Sequence, residues 1–154
     1  MVRFHMNKID LLKPEARPFF KTFLSALYKH GLKFYIVETL RTQAVQDAYY
    51  AQGRMSLEEI NGLRKTAGLY LIGPAEAKNI ITQVRYSKHQ DGKAGDIVPV
   101  LNGKIPWNIT SENAELWLTF GRLGQEAGLH WGGTWEPLNS FGIGWDAPHY
   151  QVGE

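Results

Sequence analysis

Cysteine is absent from the 154 residues of this chain. Its absence excludes disulfide bonds and thiolate metal sites, so a zinc ion could be held only by histidine nitrogen and carboxylate oxygen. A chain without cysteine is compatible with oxidising and reducing compartments alike, and its redox context therefore stays open.

A strong charge of one sign is lacking as well. The formal net charge is +2, and the lysines and arginines are scattered along the chain. A nucleic-acid-binding domain usually carries a basic stripe, so we expect no nucleic-acid partner. No stretch approaches the roughly 18 apolar residues of a membrane span, and we expect no membrane partner either.

The first twenty residues do not resemble a signal peptide. They carry charges at Lys8, Asp10 and Lys13, which interrupt the apolar core that a signal peptide needs. We therefore expect cytoplasmic synthesis without a signal peptide, and any action outside the cell would require release by other means.

The chain nevertheless contains enough apolar material for a core. Hydrophobic residues make up 44% and aromatic residues 12% of the sequence, and the length suits one domain over residues 1–154. The pattern of apolar residues, caps and glycines predicts an α+β fold, in which a small, mostly antiparallel sheet packs with three to four helices. Ser56 and Glu59 form an S-x-x-E capping box for a helix up to about Thr66. Residues 69–73 read as a strand or an extended loop, a helix is expected over 74–83, and Thr110 or Ser111 is expected to cap another.

The stretch SKHQDGKAGD, residues 87–96, contains His89 and Asp96. Seven extended residues span about 23 Å, whereas each ligand atom of a zinc ion lies about 2 Å from it. The chain would therefore have to turn back between them, and Gly92 and Gly95 permit such a turn. This spacing alone leaves open a solvated loop that happens to carry a histidine.

The stretch GWDAPHY, residues 144–150, places Asp146 three positions before His149. Residues three apart in a strand point to opposite faces, and Pro148 disfavours a helix. A bend at Ala147-Pro148 would bring both side chains to one site, with His149 as a metal ligand and Asp146 as a carboxylate that takes a proton from water. The alternative is a turn with a surface aspartate.

The remaining histidines fit other roles. His30 ends an amphipathic helix, where a histidine favours the negative helix terminus. His5 lies near the N-terminus, and we interpret His130 as structural or as a support for the site.

Taken together, these stretches resemble a known family. The motifs are S-x-H-x-x-G-x-A-x-D at Ser87, His89, Gly92, Ala94 and Asp96; D-x-P-H at Asp146, Pro148 and His149; W-G-G at Trp131, Gly132 and Gly133, with Trp135; and R-x4-Q at Arg41 and Gln46. The chain is similar, from about Glu38 to Gln151, to the zinc D-alanyl-D-alanine carboxypeptidase and L-alanyl-D-glutamate endopeptidase family, which includes many phage endolysins.

The resemblance implies a fold of the hedgehog and D-Ala-D-Ala peptidase type and one zinc ion per chain. The implied roles are zinc ligands for His89, Asp96 and His149, a general base for Asp146, oxyanion or substrate carboxylate stabilisation for Arg41, and substrate binding for Ser87 and Gln46. The implied partner is the peptidoglycan stem peptide, and we expect a monomer that acts on the cell wall after release.

Two features depart from parts of this family. Position 146 is aspartate, as in the endolysin-like branch, whereas the dipeptidase branch has glutamate. The segment EPLNSFGIGW, residues 136–145, lengthens the chain between Trp135 and Asp146 and is a candidate for shaping the substrate cleft.

Three functions follow as hypotheses. The leading one is an L-alanyl-D-glutamate endopeptidase acting as a phage or prophage endolysin. The second is a D-Ala-D-Ala carboxypeptidase or dipeptidase, because the cleft wall rather than the zinc ligands selects the bond. The third is a noncatalytic zinc-stabilised binding module, against which Asp146 argues, since a structural metal site needs no adjacent base.

Overall fold

The computed structural model describes residues 8–83, 85–86 and 91–153. Its helices are α1 (Arg17–Lys29), α2 (Gln43–Ala51), α3 (Leu57–Thr66), α4 (Pro74–Ala77) and α5 (Ala114–Glu126). Its strands are β1 (Phe34–Glu38), β2 (Ala94–Pro99), β3 (Leu129–Trp131) and β4 (His149–Val152). All strand pairs are antiparallel, in the order β1-β2-β4-β3, and the predicted α+β class is confirmed.

The described residues fall into two compact units. The first contains residues 8–40 and 91–153, with the whole sheet, α1 and α5; the second contains the described residues between 41 and 86, with α2, α3 and α4. The single catalytic domain over residues 1–154 stays a prediction. In the ranges described, no helix combines the length and the apolar character that crossing a membrane requires.

The core of the first unit lies between the sheet and the helices α1 and α5. Phe20 and Phe23 of α1, Trp117 and Phe120 of α5 and Tyr150 of β4 are all buried there. The rings of Phe23 and Tyr150 lie 4.5 Å apart. Because side chains alternate along a strand, Tyr150 belongs to the core while its neighbour His149 projects from the other face of the sheet.

Two glycines let α5 approach the sheet closely. A Cβ atom at Gly121 would overlap the indole ring of Trp131, and one at Gly124 would lie 2.5 Å from the Tyr150 ring. The i, i+3 spacing of these glycines places both on the same helix face, so α5 can pack directly on the aromatic rings of β3 and β4.

The second unit has its own small core of Ala51, Ile60, Ile72 and Ala77. The predicted capping box at the start of α3 is confirmed: Ser56 Oγ accepts from the Glu59 N–H at 3.1 Å, and Glu59 Oε1 accepts from the Ser56 N–H at 3.3 Å.

Residues 69–73 form an extended loop, one of the two predicted alternatives. Asn61 bonds both the N–H and the C=O of Ile72, and Arg64 donates to the Tyr70 carbonyl. These side chains occupy backbone groups that a strand partner would otherwise use.

Two predicted helix boundaries were wrong. The helix that begins at Pro74 ends at Ala77 rather than near residue 83. The regular helix α5 begins after Asn113 rather than after Thr110 or Ser111. Thr110 does make a cap contact, since its Oγ1 accepts from the Glu112 N–H, but together with the Asn113 side chain, which accepts from the Thr110 N–H, it closes a separate turn before the helix.

The close packing of α5 predicts opposite effects for the same substitution at two helix positions. We expect Gly124→Ala to lower the free energy of unfolding by about 1–3 kcal/mol, because the added methyl group overpacks the Tyr150 ring. Gly62→Ala, on an exposed part of α3 with no atom near the new methyl group, should raise it by about 0.5–1 kcal/mol. Urea unfolding followed by circular dichroism measures both, and a stabilising Gly124→Ala would contradict this packing.

Candidate active site

The pairing of β2 with β4 brings two of the predicted site residues together. Asp96 of β2 lies directly opposite His149 of β4, and opposed residues in antiparallel strands share one face of the sheet. The Nδ1 atom of His149 lies 3.5 Å from Oδ1 of Asp96. On the other side of Asp96, the register of β1 places Glu38 opposite the same residue.

A turn brings the third side chain, Asp146, to the same imidazole. The His149 N–H donates to the Asp146 carbonyl at 3.0 Å, so the chain bends over Ala147-Pro148 as predicted. Asp146 Oδ2 lies 3.8 Å from His149 Nδ1. Both carboxylates therefore face the same ring nitrogen.

Three contacts with neighbouring segments fix this turn. Trp131 Nε1 donates to the Ala147 carbonyl at 2.7 Å, and the Ile97 N–H donates to the Pro148 carbonyl at 2.9 Å. Gly132 lies against the Asp146 backbone, where any Cβ atom would overlap the carbonyl oxygen. The W-G-G motif thus has a physical basis, since an indole donor and a residue without a side chain both hold the turn that carries Asp146.

Gln151 orients the His149 ring from the opposite edge. The Nε2 atom of His149 lies 2.8 Å from Gln151 Oε1, and an amide oxygen only accepts hydrogen bonds. We assign the proton to Nε2 on this network, which leaves the Nδ1 lone pair facing the two carboxylates. Sequence reasoning missed Gln151, although its position two residues after His149 on a strand predicts a shared face.

The site is partly shielded from water, and this affects its electrostatics. The His149 side chain is 8% exposed, against 22% for Asp96 and 29% for Asp146. Burial by itself lowers the pKa of His149, but Asp96, Gln151 and Asp146 together raise it by more, so the pKa of this imidazole lies above its ordinary value.

The donor atoms fit a zinc ion. With ligand atoms at 2.0–2.2 Å, neighbouring ligands of a tetrahedral zinc lie about 3.3–3.5 Å apart, which matches the separation of His149 Nδ1 and Asp96 Oδ1. The part of the chain that the structure describes contains no group of three or more His, Cys, Asp or Glu side chains that could hold a metal ion. The third predicted ligand, His89, and the predicted substrate-binding Ser87 lie outside the described residues.

Arg41 and Gln46 belong to the second unit and contact each other there. Arg41 Nη1 donates to Gln46 Oε1 at 2.8 Å, and the Arg41 guanidinium lies 5.1 Å from the centre of the Tyr49 ring. Gln46 is fully buried, so its amide oxygen restrains the arginine. The catalytic role of Arg41 and the substrate-binding role of Gln46 stay predictions.

The other histidines lie apart from these contacts in the regions described. His30 ends α1, and its Nδ1 lies 2.8 Å from the Ala26 carbonyl, which agrees with a structural role. His130 lies opposite Gln151 across the β3–β4 pair and is exposed. His5 lies outside the described residues.

The raised pKa of His149 predicts a pH-dependent stability of the metal-free protein. Because the folded-state pKa exceeds the unfolded value of about 6.5, protonation of His149 stabilises the fold. This contribution is complete below the unfolded pKa and is lost as the pH rises through the folded-state pKa. Urea unfolding of chelator-treated wild type and His149→Gln measures this contribution. The free energy of unfolding of wild type, relative to that of His149→Gln, should decrease as the pH rises. A difference that does not change with pH would contradict the raised pKa of His149.

Comparisons with known proteins agree with the motifs. Residues 81–152, which include the S-x-H-x-x-G-x-A-x-D and D-x-P-H motifs, match the family model described as D-alanyl-D-alanine carboxypeptidase. The sequence has no significant match among curated proteins.

Solved structures show the same fold. The L-Ala D-Glu endopeptidase ChiX of Serratia marcescens has a TM-score of 0.58 and 18% identity, over 96% of this chain and 85% of ChiX. VanYB in complex with D-alanine-D-alanine has a TM-score of 0.53 and 19% identity, over 92% and 71% of the two chains. A mutant of the vancomycin resistance D,D-pentapeptidase VanY in complex with Zn(II) has a TM-score of 0.52 and 18% identity, over 92% and 72%.

The family model that matches residues 81–152 is the family that the motifs of the sequence resemble. Over residues 81–152 the chain is therefore similar to the D-alanyl-D-alanine carboxypeptidase family, and its fold is the one that these solved peptidoglycan peptidases share.

Proposed function

We propose that this chain is an L-alanyl-D-glutamate endopeptidase that hydrolyses peptidoglycan stem peptides with one bound zinc ion. The observation that carries the proposal is the pair of carboxylates, Asp96 and Asp146, that face the same nitrogen of His149. One of them can serve as a ligand while the other remains available for proton transfer.

His89, Asp96 and His149 would hold the zinc ion. The support from the structure is the spacing of His149 Nδ1 and Asp96 Oδ1, which suits neighbouring ligands, and the Gln151 contact at Nε2, which turns Nδ1 toward the carboxylates. When bound, zinc lowers the pKa of water to about 7 and polarises the scissile carbonyl.

Asp146 would act as the general base. It is the more exposed of the two carboxylates, and the turn contacts of Trp131 and Gly132 restrict its position. Its carboxylate would accept a proton from the attacking water and return the proton to the leaving amine. An aspartate at this position also matches the endolysin-like branch that the sequence resembles.

Arg41 would stabilise negative charge that develops on the substrate. Its hydrogen bond to buried Gln46 restricts the rotamers of a long side chain, which favours a preorganised cation. Removing one such stabilising donor typically costs about 2.7–4 kcal/mol in the transition state. Ser87 would contribute a hydrogen bond to the substrate near the scissile amide.

The bond cleaved separates the leading proposal from its alternative. Aspartate at position 146 and the fold shared with ChiX favour the L-Ala–D-Glu bond, whereas the family description and the fold shared with VanYB favour cleavage at D-alanine. We further propose that the chain acts as a phage or prophage endolysin that reaches the wall after release from the cell in which it is made.

Digestion of purified sacculi tests the bond and the base together. We expect mass spectrometry to show new L-Ala and D-Glu termini with wild type and none after chelation of the metal. Asp146→Asn should retain zinc and stability but lose about 10²–10⁴-fold in rate, because the attacking water loses its proton acceptor.

Asp10→Asn is the matched control, since Asp10 is exposed and remote from the turn in sequence, and it should digest sacculi like wild type. Release of C-terminal D-alanine alone would support the carboxypeptidase alternative. Full activity of Asp146→Asn would show that Asp146 is not the general base. Zinc binding by wild type without any hydrolysis would support the hypothesis of a noncatalytic binding module.

The contact between Gln151 and His149 predicts a change in zinc affinity. Gln151→Leu removes the acceptor for the Nε2 proton, and loss of such a supporting contact typically weakens metal binding by about 10–100-fold. Gln151→Glu keeps an oxygen acceptor and should bind zinc more tightly than Gln151→Leu. Competition with a chromophoric chelator measures both affinities, and equal values for the two variants would contradict the assigned role.

A further inference from the structure

A groove of about 560 Å³ lies in the first unit, next in sequence to the candidate active site. Its walls include Trp107, Asn108, Leu138, Asn139 and Trp145, and we call it the aromatic groove. Three of these side chains are large, apolar and strongly exposed: 57% for Trp107, 48% for Leu138 and 65% for Trp145. Exposed apolar side chains grouped in one concave surface are typical of a binding site.

The longer segment 136–145 builds one wall of this groove and is held in a defined conformation. Leu138 pairs with Gly144 in an isolated bridge, and the Asn139 side chain accepts from the N–H groups of Phe141 and Ile143 at 2.8 and 3.0 Å. The Gly144 N–H donates to the Gly133 carbonyl at 2.6 Å. The segment is therefore attached directly to the W-G-G motif.

Contacts between tilted rings connect the aromatic groove to the candidate active site. The Trp135 ring lies 5.1 Å from the His149 ring and 5.9 Å from the Trp145 ring, and Trp145 directly precedes Asp146. Two ring-to-ring steps thus lead from the proposed zinc ligand to the groove, so a substrate bound at the site can extend into it.

The chemistry of the walls favours a neutral, amphipathic ligand. None of the groove-lining residues, at 107–109, 137–139 and 143–145, carries a charged side chain. The stem peptide carries carboxylates, which such a surface would leave without a partner. A pyranose ring presents an apolar C–H face that stacks on indole, and its N-acetyl and hydroxyl groups suit the amides of Asn108 and Asn139.

We propose that the aromatic groove binds the N-acetylmuramyl sugar to which the stem peptide is attached. This inference rests on the proposed cleavage of the L-Ala–D-Glu bond. In peptidoglycan the lactyl carboxyl group of this sugar is consumed in the amide bond to L-alanine, so the sugar is neutral at that point.

The length of the stem peptide supports this placement. In L-Ala–D-Glu cleavage a single alanine, about 3.6 Å long, separates the scissile bond from the lactyl group, whereas four residues, about 14 Å, separate it in D-Ala–D-Ala cleavage. The Trp145 ring lies within about 11 Å of the His149 ring through the contacts of 5.1 and 5.9 Å. One alanine followed by the lactyl group and the sugar fits this distance, whereas four residues exceed it before the sugar begins.

Paired substrates test the aromatic groove. N-acetylmuramyl-L-Ala-D-Glu peptide is compared with N-acetyl-L-Ala-D-Glu peptide of the same sequence. We expect wild type to cleave the muramyl substrate with a kcat/KM up to about tenfold higher, in line with one good stacking contact, and Trp107→Ala to bring the ratio near one. Tyr28→Ala, which truncates another exposed aromatic side chain, should keep the wild-type ratio. An unchanged ratio in Trp107→Ala would overturn the proposal that the aromatic groove binds the sugar.

Binding measured without hydrolysis separates this inference from the proposed function. Isothermal titration of wild type with N-acetylmuramyl-L-alanine should show binding that Trp107→Ala loses and Tyr28→Ala keeps. Binding of this kind without any cleavage of the L-Ala–D-Glu bond would support sugar binding in the aromatic groove and overturn the proposed function. Cleavage of both peptides without such binding would support the proposed function and overturn sugar binding in the aromatic groove.

Discussion

The antiparallel pairing of β2 with β4 is the interaction on which the rest of the site depends. It places Asp96 opposite His149, although the two residues belong to different motifs far apart in sequence. Backbone hydrogen bonds set this register, so the spacing of the two donor atoms follows from the sheet itself. A site built on strands in this way holds its geometry better than one carried by loops.

The strands position one carboxylate, and a turn positions the other. Asp96 is fixed by its place in the ladder, whereas Asp146 depends on the contacts of Trp131 and Gly132 with the turn that carries it. Similar side chains can therefore serve different roles: the strand residue suits a metal ligand, and the turn residue, being more exposed, suits proton transfer.

Sequence reasoning predicted the α+β class, the Ser56 capping box and the bend between Asp146 and His149, because each depends on local residue types and spacing. It did not predict that α5 begins after Asn113, because a side-chain contact decides that boundary. Gln151 was missed although its position two residues after His149 predicts a shared face, because spacing alone does not show that the two side chains form a hydrogen bond. The aromatic groove combines residues near position 107 with others near 140, and only the folded chain brings them together.

Strand β4 carries both the chemistry and the core in alternate positions. His149 and Gln151 project toward the site, while Tyr150 fills space between Phe23 and Gly124. A slip of one residue would exchange these faces, burying an imidazole among aromatic rings and exposing the phenol. Burial of Tyr150 in the hydrophobic core thus fixes the strand register that directs the His149 imidazole toward the site. Insertions or deletions between Trp145 and Val152 should therefore destabilise the fold itself, and not only change the activity.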